Sequence, residues 1–186
     1  MKLIKDNQIQ DGHLHAWCLY KQTSLMHFVY LFASVLVGKI TGSKSVTTHL
    51  PLEMQHHIYP RKETGLKLIK FGNFLAALIR VKLYWENAPL LNYGVWDLKH
   101  GPTEWDLVPL IIPLCLDTGH LILGSESVRE AQDKITALSQ DRRDQIKHLH
   151  IHENDLIHDS HLSPNNILTK ELIGEITKDR TYIFEK

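Results

Sequence analysis

Two stretches with helical periodicity constrain the fold of this chain more than any other sequence feature. Residues 25–37 are almost uniformly apolar, and residues 66–85 repeat apolar side chains at a spacing of three and four. A helix over residues 25–37 spans about 20 Å, which is short of the roughly 30 Å hydrocarbon core of a bilayer. We therefore expect one buried helix and one amphipathic helix, and no membrane span.

Shorter elements are predicted in the rest of the chain. Prolines and a glycine make residues 43–65 a predicted loop, and residues 107–116 suit either a buried strand or a proline-broken helix. The remaining predicted elements are a helix from residue 128, capped by Ser125 or Ser127, a helix over 169–178, and short strands near 121–123, 148–152 and 182–184. These elements predict a mainly α fold with a minor small β-sheet, of the α+β class.

The distribution of charge and aromatic residues bears on domain organisation. The 186 residues are 43% apolar, which is enough for one globular domain. All four tryptophans precede residue 124, whereas residues 125–186 carry half of the charged side chains. We expect a single compact domain over 1–186. An internal boundary near 124, between an apolar, aromatic-rich 1–124 and a charged, histidine-rich 125–186, is the alternative.

Overall composition excludes several classes of protein. Lysines and arginines number 21 and so do aspartates and glutamates, which excludes a uniformly basic nucleic-acid arm and an acidic tail. Two cysteines, Cys18 and Cys115, cannot build a disulfide framework, and no apolar run follows the first lysines. We expect a cytoplasmic protein.

Histidine supplies the main functional signal. Of 13 histidines, five lie in the window 148–161. Alternate residues of a strand share one face, so imidazoles at 148, 150 and 152 can converge, and imidazole and carboxylate are common metal ligands. The candidate ligands are His148, His150, His152, Asp155, His158, Asp159 and His161. The expected cofactor is a divalent ion such as Zn²⁺, Mn²⁺ or Fe²⁺. Solvated surface histidines are the alternative.

Two short motifs resemble known families. The run His148-Leu149-His150-Ile151-His152 is similar to the alternating core of the histidine-triad nucleotide hydrolases. This resemblance implies His150 as a nucleophile toward phosphate, with His148 and His152 beside it. The family pattern continues with two apolar residues, where this chain has Glu153 and Asn154.

The second motif is the segment Asp11-Gly12-His13-Leu14-His15, which resembles the opening of amidohydrolase-type barrels. The resemblance implies His13 and His15 as metal ligands at the end of a first strand. A complete eight-stranded barrel takes about 250 residues, more than this chain has, so we do not expect a complete barrel.

The leading functional hypothesis is a metal-dependent, hydrolase-like protein that uses the C-terminal histidine cluster. A non-catalytic binding or adaptor module, contacting a protein partner through the aromatic region 84–105, is one alternative. A nucleic-acid-binding regulator that uses the basic region 61–82 is another. The sequence leaves open whether the protein is an enzyme.

Overall fold

The chain forms two compact units, residues 1–85 and residues 86–186. A computed structural model describes residues 13–16, 24–50, 62–87 and 108–185. The two units are described separately below. The predicted single domain, with its alternative boundary near 124, stays a prediction.

In its described residues, the first unit contains two helices and three strands. The helices are α1 (Ser24–Thr41) and α2 (Lys62–Ile79), and the strands are β1 (His13–Ala16), β2 (Ser45–His49) and β3 (Lys82–Glu86). Strand β1 pairs in parallel with β2, with His13 opposite Ser45, and β2 lies between β1 and β3. Glu86, the last residue of β3, is also the first residue of the second unit.

The sequence predicts both helices of the first unit, and both are present. The expectation that α1 is fully buried is wrong, because Val29, Phe32 and Ile40 are among its exposed apolar side chains. Helix α2 ends at Ile79, whereas the sequence predicts it to continue to residue 85.

Helix α1 ends at Thr41 because Gly42 adopts a φ of 75°, a left-handed conformation that glycine accommodates readily. Gly72 lets α2 lie close to its neighbours, since a Cβ there would lie 2.8 Å from the Leu31 side chain. Within the described ranges, no helix is both long and apolar enough to cross a membrane.

The second unit alternates strands with helices. The strands are β4 (Leu114–Asp117), β5 (Ile146–Ile151) and β6 (Thr181–Phe184), and the helices are α3 (Thr118–Ile122), α4 (Val128–Asp141) and α5 (Lys170–Ile176). Strand β5 pairs in parallel with β4 on one side and with β6 on the other. The core of the second unit is apolar and fully buried, and it includes Leu116, Ile135 and Leu149.

Local capping explains where the helices of this unit begin. The hydroxyl of Ser127 accepts a hydrogen bond from the Glu130 N–H at the start of α4, as the sequence predicted. The strand predicted at 121–123 is wrong, because these residues belong to α3 and the turn that follows it. The Asp117 carboxylate accepts the His120 N–H and so starts a helix directly after β4.

The predicted fold class, mainly α with a minor sheet, is wrong. Five strands pair in parallel, β1 with β2 and β4 with β5 and β6, and helices lie between them in sequence, which is an α/β arrangement. Parallel strands buried on both faces lack the alternation that identifies a strand. For this reason the sequence predicts a loop at Ser45–His49 and a continuing helix at residues 82–85, although nearly all of the side chains in β2 and β3 are buried.

The two predicted partner surfaces are described only in part. Tyr84 and Trp85, at the start of the aromatic region 84–105, are buried, while residues 88–107 lie outside the described ranges. In the basic region 61–82, the described basic side chains are exposed, namely Lys67, Lys70, Arg80 and Lys82. Solvent exposure is compatible with an ordinary helix surface, and both partner hypotheses stay predictions.

Candidate metal centre

Four potential ligands occupy the carboxyl ends of strands. Glu86 is the last residue of β3 and Asp117 the last of β4, while His152 follows β5 and Glu185 follows β6. The carboxyl ends of parallel strands meet at one edge of a sheet, and ligands bind there in α/β folds. Glu86, Asp117 and His152 are fully buried.

The first ligand group, which we call the carboxylate group, consists of Asp117, His152 and Glu185. The Nε2 atom of His152 lies 2.9 Å from Asp117 Oδ1 and 3.9 Å from Glu185 Oε2. His150 brings Glu86 close to this group, since its Nδ1 lies 3.1 Å from Glu86 Oε1 and 3.0 Å from Glu185 Oε1. The carboxylates thus surround buried imidazoles.

The second ligand group, which we call the histidine group, consists of His120, His152, Asp159 and His161. Asp159 lies between two imidazoles, with its Oδ2 3.4 Å from His120 Nε2 and its Oδ1 3.5 Å from His161 Nε2. The rings of His152 and His161 stack with centroids 4.1 Å apart. The two groups share His152, so they are adjacent.

The cluster is rich in buried and partly buried carboxylates whose charge needs a cation. The ion-pair partners of Asp117, Asp159 and Glu185 within the described ranges are all histidines. Buried carboxylates are stable when they are paired with positive charge or coordinate a metal. In the described site this positive charge comes from histidines, and a divalent ion would supply it in their place.

Proton affinities in the cluster reflect this excess of negative charge. Burial opposes the charged form of His120, but Asp117, Asp159 and Glu86 outweigh it and raise the pKa of His120 to about 10. Burial also opposes the charged form of Asp159, but the neighbouring His120, His161 and His152 lower the pKa of this carboxyl to about 2. Without a metal, protonated histidines therefore balance the carboxylates.

The hydrogen bonds around the cluster suit metal ligation. His120 Nδ1 lies 2.8 Å from the Asn87 carbonyl oxygen, which accepts its proton and directs Nε2 toward Asp159. Metal-ligating histidines commonly donate their other N–H in this way. The Nδ1 atom of His152 is buried and has no hydrogen-bond partner among the described residues. These side chains can hold a divalent metal ion, so the expectation of a divalent cofactor is confirmed.

Neighbouring polar side chains fix the backbone that carries the ligands. The Asn87 side chain donates to the Asp117 carbonyl and accepts from the Asp117 N–H, at 2.9 and 2.8 Å, like a strand partner. The Thr118 hydroxyl accepts the His152 N–H at 3.2 Å and lies 3.0 Å from the His152 carbonyl oxygen. The end of β4 is thereby joined to the end of β5.

The histidines predicted as one site fall into different groups. His148, His150 and His152 are all buried, but His148 lies with Cys115 and His150, whereas His152 joins the carboxylate and histidine groups. Burial raises the pKa of the Cys115 thiol to about 12, so the thiol is protonated at neutral pH.

The acidic and later histidine candidates also separate. Asp159 and His161 lie beside His152 as parts of the histidine group. Asp155 and His158 instead pair with each other at 2.8 Å on the surface, and they belong to none of the ligand groups among the described residues. His13 and His15 lie on β1 in the other unit.

Sequence reasoning missed Glu86, Asp117, His120 and Glu185. Three of these follow a short apolar or aromatic run directly, as in Tyr84-Trp85-Glu86, Leu114-Cys115-Leu116-Asp117 and Ile183-Phe184-Glu185. An acidic residue that ends several such runs indicates a site at the carboxyl edge of a parallel sheet. This signal could have found them.

Comparisons with known proteins find similar structures but no matching sequence family. No protein-family model matches the chain, and no curated protein sequence matches it. A D-tagatose 3-epimerase-like protein is similar in structure, with a TM-score of 0.67 and 16% identity, over 98% of this chain and 73% of that one. Endonuclease IV from Thermus thermophilus has a TM-score of 0.63 and 17% identity, over 98% and 71%. The TTHB071 protein of the same organism, in a structure soaked with ZnCl₂, has a TM-score of 0.59 and 18% identity, over 94% and 70%.

These similarities show that the fold is TIM-barrel-like. The finding replaces the predicted α+β class. The prediction from length concerned a complete eight-stranded barrel, and this chain spans about 70% of the length of each of these larger proteins. At 16–18% identity the similarity establishes the fold alone.

Proposed function

We propose that this chain is a divalent-metal-dependent hydrolase of phosphate esters, with its metal centre in the carboxylate and histidine groups. The proposal extends the sequence-based hypothesis of a metal-dependent hydrolase to a substrate class. It keeps His152, Asp159 and His161 from the predicted ligands and adds Asp117, His120 and Glu185. Zn²⁺ is the preferred ion, because four imidazole and carboxylate donors make up the histidine group.

The observation that carries this proposal is the adjacency of two ligand groups that share His152. Neighbouring groups provide donors for more than one ion, and two-metal sites are typical of phosphatases and nucleases. The similarity in fold to a protein named endonuclease IV is consistent with a phosphate-ester substrate, as an argument from analogy.

The residues of the chain would position the reacting groups. A divalent ion bound here supplies Lewis-acid chemistry and a nucleophilic water at neutral pH. Asn87 holds the His120 ring with Nε2 directed into the cluster. Asp117, fixed through its backbone by Asn87, faces His152 at 2.9 Å. The ligands are therefore held in place before an ion binds, which favours tight binding.

Hydrolysis of bis(p-nitrophenyl) phosphate by protein loaded with Zn²⁺ or Mn²⁺ tests the proposal. We expect release of p-nitrophenol, and a loss of about 100-fold or more in rate for His161→Ala. The matched control is His158→Ala, a histidine of the same loop that pairs with Asp155 at the surface. Absence of hydrolysis by fully metal-loaded protein, or an equal loss in both variants, would contradict it.

A second candidate function is isomerisation or epimerisation of a sugar. The carboxylate group alone, with two carboxylates and one imidazole, suits a single Mn²⁺ ion. A second protein of similar fold is named D-tagatose 3-epimerase-like. One bound ion per chain, together with conversion of a ketose to its epimer and no phosphate-ester hydrolysis, would favour this function.

A further inference from the structure

Asn154 connects helix α3, which carries His120, to the loop that carries Asp159 and His161. Its side-chain Nδ2 donates to the Gly119 carbonyl at 2.7 Å and approaches Asp159 Oδ1 at 3.4 Å. Its Oδ1 accepts the backbone N–H groups of Ser160 and His161, at 2.9 and 3.2 Å. Both donors and both lone pairs of the amide are used, and the side chain is buried.

The backbone at His161 shows why such a connection is needed. His161 has a φ of 46°, in the left-handed region that residues other than glycine rarely adopt. A strained conformation persists only where the surroundings enforce it. The hydrogen bond to Asn154 and the stacking on His152 hold this backbone in place.

The Nδ2 atom of Asn154 bonds to helix α3, which carries His120. Gly119 directly precedes His120, so the bond from Asn154 Nδ2 fixes the backbone on which this ligand is mounted. One side chain thus joins helix α3, which bears His120, to the loop bearing Asp159 and His161. Asp159 lies 3.4 and 3.5 Å from the imidazoles of His120 and His161, between the two segments that Asn154 joins.

We infer that Asn154 is a positioning residue that assembles the histidine group for metal binding. The inference rests on the proposed function, because it assumes that this group holds an ion. Asn154 itself is not a ligand in this role. It acts through His120, Asp159 and His161, and its loss should weaken the ion bound there while leaving the carboxylate group intact.

Calorimetric titration of metal-free protein with Zn²⁺ tests this inference. We expect Asn154→Ala to weaken one of two Zn²⁺ ions by about 10–100-fold, the effect typical of residues that orient ligands, and to leave the other unchanged. The matched control is Gln145→Ala. Gln145 is an equally buried amide that bonds the Pro109 carbonyl, and it contacts no ligand of the histidine group among the described residues. This control should lower the melting temperature without changing either Zn²⁺ affinity.

A second variant covers the case in which Asn154→Ala does not fold. Asn154→Asp keeps the acceptor for Ser160 and His161 but sets a carboxylate oxygen against the Gly119 carbonyl, and we expect a weakening of Zn²⁺ binding of at least about tenfold. Wild-type Zn²⁺ affinities in a folded Asn154 variant, or an equal loss of Zn²⁺ affinity in Gln145→Ala, would overturn this inference and leave the proposed function standing. A wild-type chain that binds no Zn²⁺ would overturn the proposed function as well.

Discussion

Gly119 and His152 lie so close together that a Cβ on Gly119 would overlap the imidazole ring of His152. The ring is fully buried and stacked on His161, so a shift of the ring would disturb this stacking. His152, which belongs to both ligand groups, can therefore occupy its position only because residue 119 is a glycine.

Gly119→Ala tests this close approach. We expect the added methyl group to displace His152, to lower the free energy of unfolding by about 1–3 kcal/mol, and to weaken Zn²⁺ binding by at least about tenfold. Thermal melts and Zn²⁺ titration measure the two effects.

Gly174→Ala is the matched control for this substitution. Gly174 lies within α5, and a Cβ there would meet nothing within 4 Å. In a helix this change should be neutral or stabilising by up to about 1 kcal/mol. Similar behaviour of the two variants would show that the Gly119–His152 approach has no special importance.

The raised pKa of His120 predicts opposite pH trends for stability and for metal binding. A pKa raised to about 10 means that protonated His120 stabilises the metal-free fold below its unfolded pKa near 6.5. This contribution is lost as the pH rises toward 10, so metal-free protein should melt at lower temperature at pH 8.5 than at pH 6.5. The contribution should be absent in His120→Gln.

Zn²⁺ binding should instead strengthen over the same pH range. A histidine binds metal in its neutral form, so a raised pKa makes the ion displace a proton. Calorimetric titration between pH 6.5 and 8.5, in buffers of different ionisation enthalpy, measures this proton release. A Zn²⁺ affinity that is independent of pH would contradict ligation by His120.

Glu153 provides a separate test of the scaffold behind the cluster. Its buried carboxylate accepts the backbone N–H groups of four consecutive residues, 165–168. Removing the acceptor leaves buried donors unsatisfied, so Glu153→Ala should lower the free energy of unfolding by about 3 kcal/mol. Urea denaturation measures the change. Glu171→Ala, at an exposed position of α5, should change it by less than about 1 kcal/mol, and an equally small effect at Glu153 would refute this role.

Sequence reasoning identified the elements with a strong local signal. The apolar run of α1 and the serine cap of α4 are visible without any knowledge of distant residues, and both elements are present. Strands β2 and β3 carry no such signal, because burial on both faces removes the alternation of polar and apolar residues. Their parallel arrangement depends on contacts between segments far apart in sequence, and so the fold class was missed.

The residues of the candidate site likewise divide into those that the sequence identifies and those that only the fold brings together. His152, Asp159 and His161 were found because they are clustered in sequence. Glu86 and Glu185 lie about 100 residues apart, and only the fold brings both within about 3 Å of the same His150 nitrogen. The clustering also misled, since Asp155 and His158 share the window but form a separate surface pair.

The metal content of the purified chain tests the central claim most directly. Elemental analysis after equilibration with Zn²⁺ and removal of free ion should give about two equivalents per chain for the wild type. His152→Ala, which removes a donor from both ligand groups, should retain far less, while His158→Ala should match the wild type. A wild-type chain without bound metal, or a His152→Ala variant with unchanged content, would contradict the account.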